Sequence, residues 1–122
     1  MIVLDEQLND EQIIEAIEQW YQGKVTTVQA LRPNTLIKDD AIPSLLLRQK
    51  QPTFVTINYF DFWPKAPKHS AYCLICCKLP TERKLEVPDL LRRVLQLPEF
   101  DTWRKRAGKI ISVTDLEVRY FG

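Results

Sequence analysis

Three places in the chain combine acidic and amide side chains that could bind a cation. They are the pair Asp5 and Glu6, the pair Asp39 and Asp40, and the segment that runs from Asn58 to Asp61. Carboxylates that are held close together repel one another, and a hard divalent cation relieves that repulsion. Oxygen ligands suit Mg²⁺ or Mn²⁺, and such a cation can activate water and stabilise charge on a phosphoryl group.

Alternating strands and amphipathic helices are predicted to position these residues. Residues 2–4 form a short apolar run that predicts a buried strand. Residues 10–22 carry apolar side chains at helical spacing, with Asn9 as the expected N-cap and Gly23 as the C-terminal stop. Residues 24–30 favour a second strand.

The middle of the chain predicts a second helix and a third strand. The helix should begin at Asp39 or Asp40, and with Asp40 as N-cap Pro43 falls at the third helical position, where no intrahelical N–H is needed. Residues 53–57 are β-branched and mostly apolar, which is typical of a strand. Pro64 is expected to keep the segment after this strand irregular.

The second half of the sequence predicts three strands and two helices. Residues 70–77 form a continuous apolar run of strand length, which indicates burial on both faces. A third helix has Pro88 in its first turn, and residues 98–107 predict a short fourth helix. Two strands, over residues 109–113 and 116–121, complete the pattern.

This order predicts one α/β domain over residues 1–122, with helices on both sides of a mostly parallel central sheet. Ligands of such sheets bind beyond the carboxyl ends of the strands. Asp5 follows the first strand, Asp39 begins the second helix, and Asn58 and Asp61 follow the third strand. We therefore expect these side chains to lie at one edge of the sheet.

Each acidic residue also has an ordinary structural interpretation. Asp40 is adequately explained as an N-cap, Glu6 as a solvated loop charge and Asp61 as a turn residue. Asp5 is the hardest to explain in this way, because a carboxylate directly after a buried strand usually has a partner.

The composition, with 45% hydrophobic and 27% charged residues, is that of an ordinary soluble globular chain and excludes a disordered or collagen-like one. No apolar run reaches the roughly 18 residues of a membrane helix, and the first residues do not resemble a secretory signal. The net charge of +1 combines an acidic first half with a basic second half. The clustered Cys73, Cys76 and Cys77 do not form a disulfide framework and favour a reducing, cytoplasmic location.

Several further signals have competing interpretations. Cys73 and Cys76 have redox or zinc spacing, but no second pair of cysteines completes a site, so core cysteines are the better explanation. His69 is interpreted as structural or solvated. The bases at 104–106 could face RNA phosphates or an acidic protein segment, or could complement a helix dipole. The aromatic residues in 59–63 could stack bases or seal the core.

The same residues support a family resemblance that covers nearly the whole chain. Residues 2–8 resemble the opening of small PIN-like (PilT N-terminus) domain proteins, relatives of ribonucleases that act as toxins in bacterial toxin–antitoxin pairs. Residues 39–42 are similar to the acidic start of the family's middle helix, and residues 53–62 resemble its Thr-x-Asp-x-Asp-Phe strand end. Residues 68–75 and 108–119 are similar to the next strand and the closing hairpin.

This resemblance implies a three-layer α/β/α fold with a C-terminal hairpin and the activity of a metal-dependent endoribonuclease. Asp5, Asp39 and Asp61 are the implied catalytic carboxylates, and they are expected to bind Mg²⁺ or Mn²⁺ together with Glu6 and Asn58. The candidate partners are RNA, an antitoxin-like protein and a second copy of the chain in a homodimer.

The sequence departs from the family pattern near this site. Asn58 stands where the family has an aspartate, one extra residue separates Asn58 from Asp61, and Ala71 replaces a glycine. The loss of one charge lowers the expected metal affinity, so the alternative function is that of a catalytically degenerate PIN-like domain that binds a protein. A receiver-type signalling domain shares the alternating layout, but it requires an aspartate where this chain has Asn58.

Overall fold

The computed structural model of the protein describes residues 1–63 and 65–122. Within these residues the strands are β1 (Ile2–Leu4), β2 (Val25–Thr27), β3 (Thr53–Thr56), β4 (Cys73–Cys77), β5 (Ile110–Val113) and β6 (Val118–Phe121). The α-helices are α1 (Glu11–Glu18), α2 (Val28–Leu31), α3 (Ile42–Leu46), α4 (Tyr59–Phe62), α5 (Val87–Gln96) and α6 (Trp103–Arg106). Short 3₁₀ helices span Glu6–Leu8, Asp39–Ala41 and Thr81–Glu86.

The described strands form one sheet in the order β2-β1-β3-β4-β5-β6. Strands β1 to β5 run parallel, and β6 pairs with β5 in the antiparallel direction. The predicted α/β class with a mostly parallel central sheet is therefore confirmed. Leu4, the last residue of β1, pairs with Thr27 of β2 and Val55 of β3, so that these strands end at the same edge.

Both faces of the sheet are buried, because successive strand residues point to opposite sides. Leu4 belongs to a hydrophobic cluster that includes Ile13 of α1 and Leu91 of α5. Val3 belongs to a second cluster that includes Leu46 of α3. Burial of each such aliphatic side chain contributes about 1.5–3 kcal/mol to folding, which explains why the central strands are almost continuously apolar.

The first helix is shorter than predicted and has a different cap. It spans Glu11–Glu18, and the carboxylate of Asp10 accepts a hydrogen bond of 2.8 Å from the backbone nitrogen of Gln12. Asn9 was expected to be the N-cap, which is wrong, because its backbone nitrogen closes the preceding 3₁₀ turn on the carbonyl of Glu6. The chain must leave that turn before the α-helix can begin.

Three predicted segments are shorter in the structure because local hydrogen bonds compete with their extension. The second strand ends at Thr27, whose hydroxyl accepts a hydrogen bond of 3.1 Å from Ala30 and so caps the one-turn helix α2. The fourth strand begins only at Cys73, after a turn that ends at Tyr72. The fourth predicted helix is reduced to α6, which starts after its N-cap Thr102.

The segment before α3 also differs from the prediction. Asp39–Ala41 forms a 3₁₀ turn in which neither aspartate caps a helix, so the N-cap role expected for Asp40 is wrong. Pro43 lies in the first turn of α3, where no N–H is needed. The one-turn helix α4 was not predicted, and the expectation at Pro64 falls outside the described residues. Among the described residues, no helix is both long enough and apolar enough to cross a membrane.

Candidate functional site

Asp5 is a buried carboxylate at the carboxyl end of β1. It is 5% exposed, and its backbone nitrogen extends the strand pairing by donating to the carbonyl of Val55 at 2.9 Å. Its Oδ2 accepts a hydrogen bond of 2.6 Å from Thr56 Oγ1, and its Oδ1 accepts one of 2.7 Å from the nitrogen of Glu6. Burial raises the pKa of Asp5, and these two hydrogen bonds oppose that rise only in part.

Thr56 connects Asp5 to the segment that follows β3. Its hydroxyl donates to Asp5 and accepts a hydrogen bond of 2.9 Å from the backbone nitrogen of Asn58. The side chain of Asn58 in turn donates from Nδ2 to Oδ2 of Asp39 at 2.7 Å. A continuous run of hydrogen bonds therefore leads from Asp5 to Asp39 across the edge of the sheet.

Asp39 lies among the other acidic side chains. Its pKa is raised first by burial and then by the negative charges of Asp5, Asp61 and Glu6. Asp39 is 34 positions from Asp5 and 22 positions from Asp61 in the sequence, yet both carboxylates lie close enough to affect its ionisation. The structure brings together the residues that the strand-end pattern singles out, whereas Asp40 remains exposed beside them.

The arrangement is looser than a preformed cage of carboxylates. Among residues 1–63 and 65–122, no three Asp, Glu, His or Cys side chains are grouped closely enough to hold one metal ion. Both oxygens of Asp5 already accept hydrogen bonds, and Asn58 supplies an amide in place of a third carboxylate. The donor set nevertheless fits Mg²⁺, which keeps several waters and is typically held by one or two carboxylates together with substrate phosphates.

No protein-family model, curated protein or solved structure matches the chain. The resemblance to PIN-like domains therefore stays a prediction from the sequence.

Two open cavities are lined in part by residues of α4. One, of about 460 Å³, is lined by Asp39, Asp40, Pro43, Asp61, Phe62, Lys65, Ala66 and Pro67. The other, of about 450 Å³, is lined by Ile57, Asn58, Tyr59, Phe60, Lys78, Leu79 and Pro80. Each cavity combines apolar walls with one lysine, and Asp61 lines the first cavity whereas Asn58 lines the second.

The second cavity contains Lys78, which the sequence did not single out. Phe60 is 67% exposed, and the Nζ atom of Lys78 lies 5.6 Å from the ring centroids of both Phe60 and Tyr59. Tyr59 is buried and donates or accepts a hydrogen bond of 2.8 Å with Ser112. Tyr59 therefore seals the core, as one interpretation of the aromatic segment expected, whereas the stacking of bases on the exposed Phe60 stays a prediction.

The remaining sequence signals have structural explanations. The three cysteines are buried in β4, and burial raises the pKa of Cys73 and Cys77 to about 12. His69 accepts a hydrogen bond of 3.0 Å at Nδ1 from the nitrogen of Ala71 and stacks on Tyr72. Core packing and turn formation account for these residues without redox or zinc chemistry.

Proposed function

We propose that the protein is a PIN-like, divalent-cation-dependent ribonuclease, acting as the toxin component of a toxin–antitoxin pair. The observation that carries this proposal is the gathering of Asp5, Asp39 and Asp61 at the carboxyl edge of a parallel sheet, where Asp39 is perturbed by the charge of the other two. Helices pack against both sheet faces and an antiparallel pair of strands follows β4, in keeping with the three-layer fold of the family.

The acidic residues fall into two groups in the proposed site. Asp39 and Asp61 border the 460 Å³ cavity and are the ligands best placed for Mg²⁺ or Mn²⁺. The Asn58 amide contacts Asp39 through Nδ2, and a flip of this amide would offer its oxygen as a neutral third ligand. Asp5 and Glu6 contribute negative charge near Asp39. When bound, the cation supplies an activated water and neutralises charge on the scissile phosphate.

The other residues of this edge bind and orient the substrate. Lys65 and Lys78 lie in the two flanking cavities and can each contact a phosphate. Phe60 offers an exposed ring on which an unpaired base can stack. Thr56 fixes the orientation of the Asp5 carboxylate, so that it does not rotate away when substrate enters. The choice of RNA over DNA rests on the family resemblance.

Cleavage of single-stranded RNA oligonucleotides in the presence of Mg²⁺ or Mn²⁺ tests the proposal. We expect turnover that EDTA abolishes and that Asp39→Asn and Asp61→Asn each reduce by at least about a hundredfold. Glu117→Gln is the matched control, because Glu117 is an exposed carboxylate in the turn between β5 and β6 and, among the described residues, forms an ion pair with Arg119 alone. Cleavage that survives both aspartate substitutions would exclude this site.

A second function is favoured by the hydrogen bond between Asn58 and Asp39. The amide satisfies the Asp39 carboxylate without a cation, as expected of a degenerate PIN-like domain that binds an antitoxin-like protein or a second copy of the chain. Thermal unfolding separates the two functions. A rise in melting temperature with millimolar Mn²⁺ that Asp39→Asn removes supports the nuclease, whereas no rise and no RNA cleavage support the binding domain.

A further inference from the structure

Arg106 is a buried cation without an acidic partner among the described residues. Arg106 is 7% exposed, and its Nη1 donates a hydrogen bond of 2.8 Å to the carbonyl of Phe100. Its Nε atom is buried and has no hydrogen-bond partner in residues 1–63 and 65–122. The ion pairs found in those residues do not include Arg106.

The charge and the hydrogen-bond donors of Arg106 are only partly satisfied by the described residues. A guanidinium group stays protonated in proteins and carries five N–H donors. A buried charge is unfavourable unless a counter-charge or several hydrogen bonds accompany it, and one backbone carbonyl satisfies only one of the donors of Arg106. A bound acceptor that is not part of the described residues can satisfy the remaining donors.

A cavity of about 290 Å³ lies beside Arg106, with Trp20, Tyr21, Arg92, Gln96 and Asp101 among the residues that line it. Tyr21 Oη is 3.2 Å from the nitrogen of Met1, which immediately precedes β1, and Arg106 precedes β5. The cavity is thus at the amino ends of the parallel strands. Asp5 and the candidate nuclease site lie at the opposite edge.

The charges around this cavity favour an anion. Arg92 and Arg106 contribute two guanidinium groups, and Asp101 contributes one carboxylate. The Asp101 carboxylate is already bound by Lys105, whose Nζ lies 2.9 Å from Oδ1. The balance at the cavity is positive, and its lining also includes the ring of Trp20.

We propose that this cavity binds a small organic oxyanion, in which a carboxylate or monophosphate group is attached to a flat ring. The oxyanion accepts hydrogen bonds from the free N–H donors of Arg106, because the geometry of the planar guanidinium group matches that of carboxylate and phosphate oxygens. The ring packs against Trp20 and Tyr21, which supply the apolar surface typical of a ligand site. The small volume restricts the ligand to about one ring. This inference is independent of the proposed nuclease activity.

Binding to the full chain tests the proposal with phenyl phosphate, benzoate and inorganic phosphate at constant ionic strength. We expect saturable binding of phenyl phosphate or benzoate with a Kd of about 1 mM or tighter, and weaker binding of inorganic phosphate, which lacks the ring. The tighter of the two aromatic ligands identifies the anionic group. Quenching of tryptophan fluorescence that Trp20→Phe removes places the ring at this cavity.

Variants of two arginines in the same helix provide the matched comparison. Arg106→Gln should weaken binding at least about tenfold, whereas Arg104→Gln should leave it unchanged, because Arg104 is exposed. Arg106→Lys retains the charge but not the fork, and we expect it to weaken binding as well. Absence of saturable binding of all three probes to the native chain overturns the proposal, as does equal binding by Arg106→Gln.

Discussion

The amide nitrogen of Asn58 donates a hydrogen bond of 2.7 Å to the Asp39 carboxylate, at the centre of the acidic edge. The bond gives Asp39 a neutral partner inside a group of negative charges, where burial and three neighbouring carboxylates raise its pKa. In the absence of a cation, this contact supplies Asp39 with a hydrogen-bond donor. An aspartate at position 58 in place of Asn58 could not make it.

Asn58→Asp should therefore make the protein depend on a cation. In EDTA we expect a loss of about 1–3 kcal/mol in the free energy of unfolding, because Asp39 loses its donor and gains a negative neighbour. In Mn²⁺ or Mg²⁺ the variant should recover and should bind the ion more tightly than the native chain. Urea denaturation with and without the ion measures both effects.

The control for this substitution is Asn34→Asp, because Asn34 is exposed. It adds the same charge and should leave the cation response unchanged. An Asn58→Asp variant that is as stable in EDTA as the native protein contradicts the role given to the Asn58–Asp39 bond.

Thr56→Val should destabilise the protein by about 1–3 kcal/mol, although it preserves the shape of the side chain. It removes the donor to Asp5 and leaves a buried carboxylate oxygen without that hydrogen bond. Thr53→Val is a matched control on the same strand, because Thr53 is 1% exposed and its hydroxyl has no partner among the described residues. This second change should be neutral or stabilising, and equal losses in the two variants contradict the prediction.

The raised pKa of Asp5 predicts a loss of stability with increasing pH. Below the ordinary pKa of 3.8 the Asp5 carboxyl group is protonated in the folded and in the unfolded chain, so it does not make the stability depend on pH. As the pH rises the unfolded chain loses this proton first, so stability falls until the pH exceeds the folded pKa. The loss is about 1.4 kcal/mol for each unit by which the pKa is raised.

Asp5→Asn removes this titration. In EDTA we expect the variant to gain stability relative to the native chain as the pH increases from about 4 to 7, and to differ little at lower pH. Denaturation with urea at a series of pH values measures the difference. A constant difference across the range is incompatible with the raised pKa of Asp5.

The position of Asp5 could be predicted from the sequence, because an apolar run that stops at a carboxylate marks a strand end. The parallel arrangement then placed the segments of Asp39 and Asn58 at the same edge. The role of Thr56 could not be predicted, because its hydroxyl meets Asp5 only through the pairing of β1 with β3. The burial of Arg106 could not be predicted for a similar reason. A basic last turn of a helix is usually exposed, and only the tertiary packing shows that Arg106 is buried.

The predicted helices and strands were more accurate in their order than in their ends. Both Asn9 and Asp40 have the right chemistry for an N-cap, but 3₁₀ turns at Glu6–Leu8 and Asp39–Ala41 shift the helix starts. Whether the chain forms a 3₁₀ turn or begins an α-helix at a given residue depends on tertiary contacts, which local propensity does not include.

Phe60→Ala should weaken the binding of single-stranded RNA about 5- to 150-fold, which corresponds to the about 1–3 kcal/mol of base stacking. Fluorescence anisotropy in EDTA measures the affinity without cleavage. Leu116→Ala is the control, because Leu116 is 95% exposed in the turn between β5 and β6. Equal affinity of Phe60→Ala and the native chain excludes stacking at this cavity.

The cysteines should be unreactive in the folded protein. Burial raises the pKa of Cys73 and Cys77 to about 12, and Cys76 is shifted in the same direction, so very little thiolate exists at pH 8. We expect a thiol reagent to label none of them in native buffer and all of them in denaturing urea. Rapid labelling of the native chain contradicts this burial.

The hydrogen bond from Thr56 to Asp5 joins residues that are 51 positions apart. The pairing of β1 with β3 brings these two residues together, so the acidic edge exists only when the sheet has formed. A nascent chain that has not yet reached Asp61 contains isolated carboxylates and no cluster. Translation must therefore pass the middle of the chain before the proposed metal site can form.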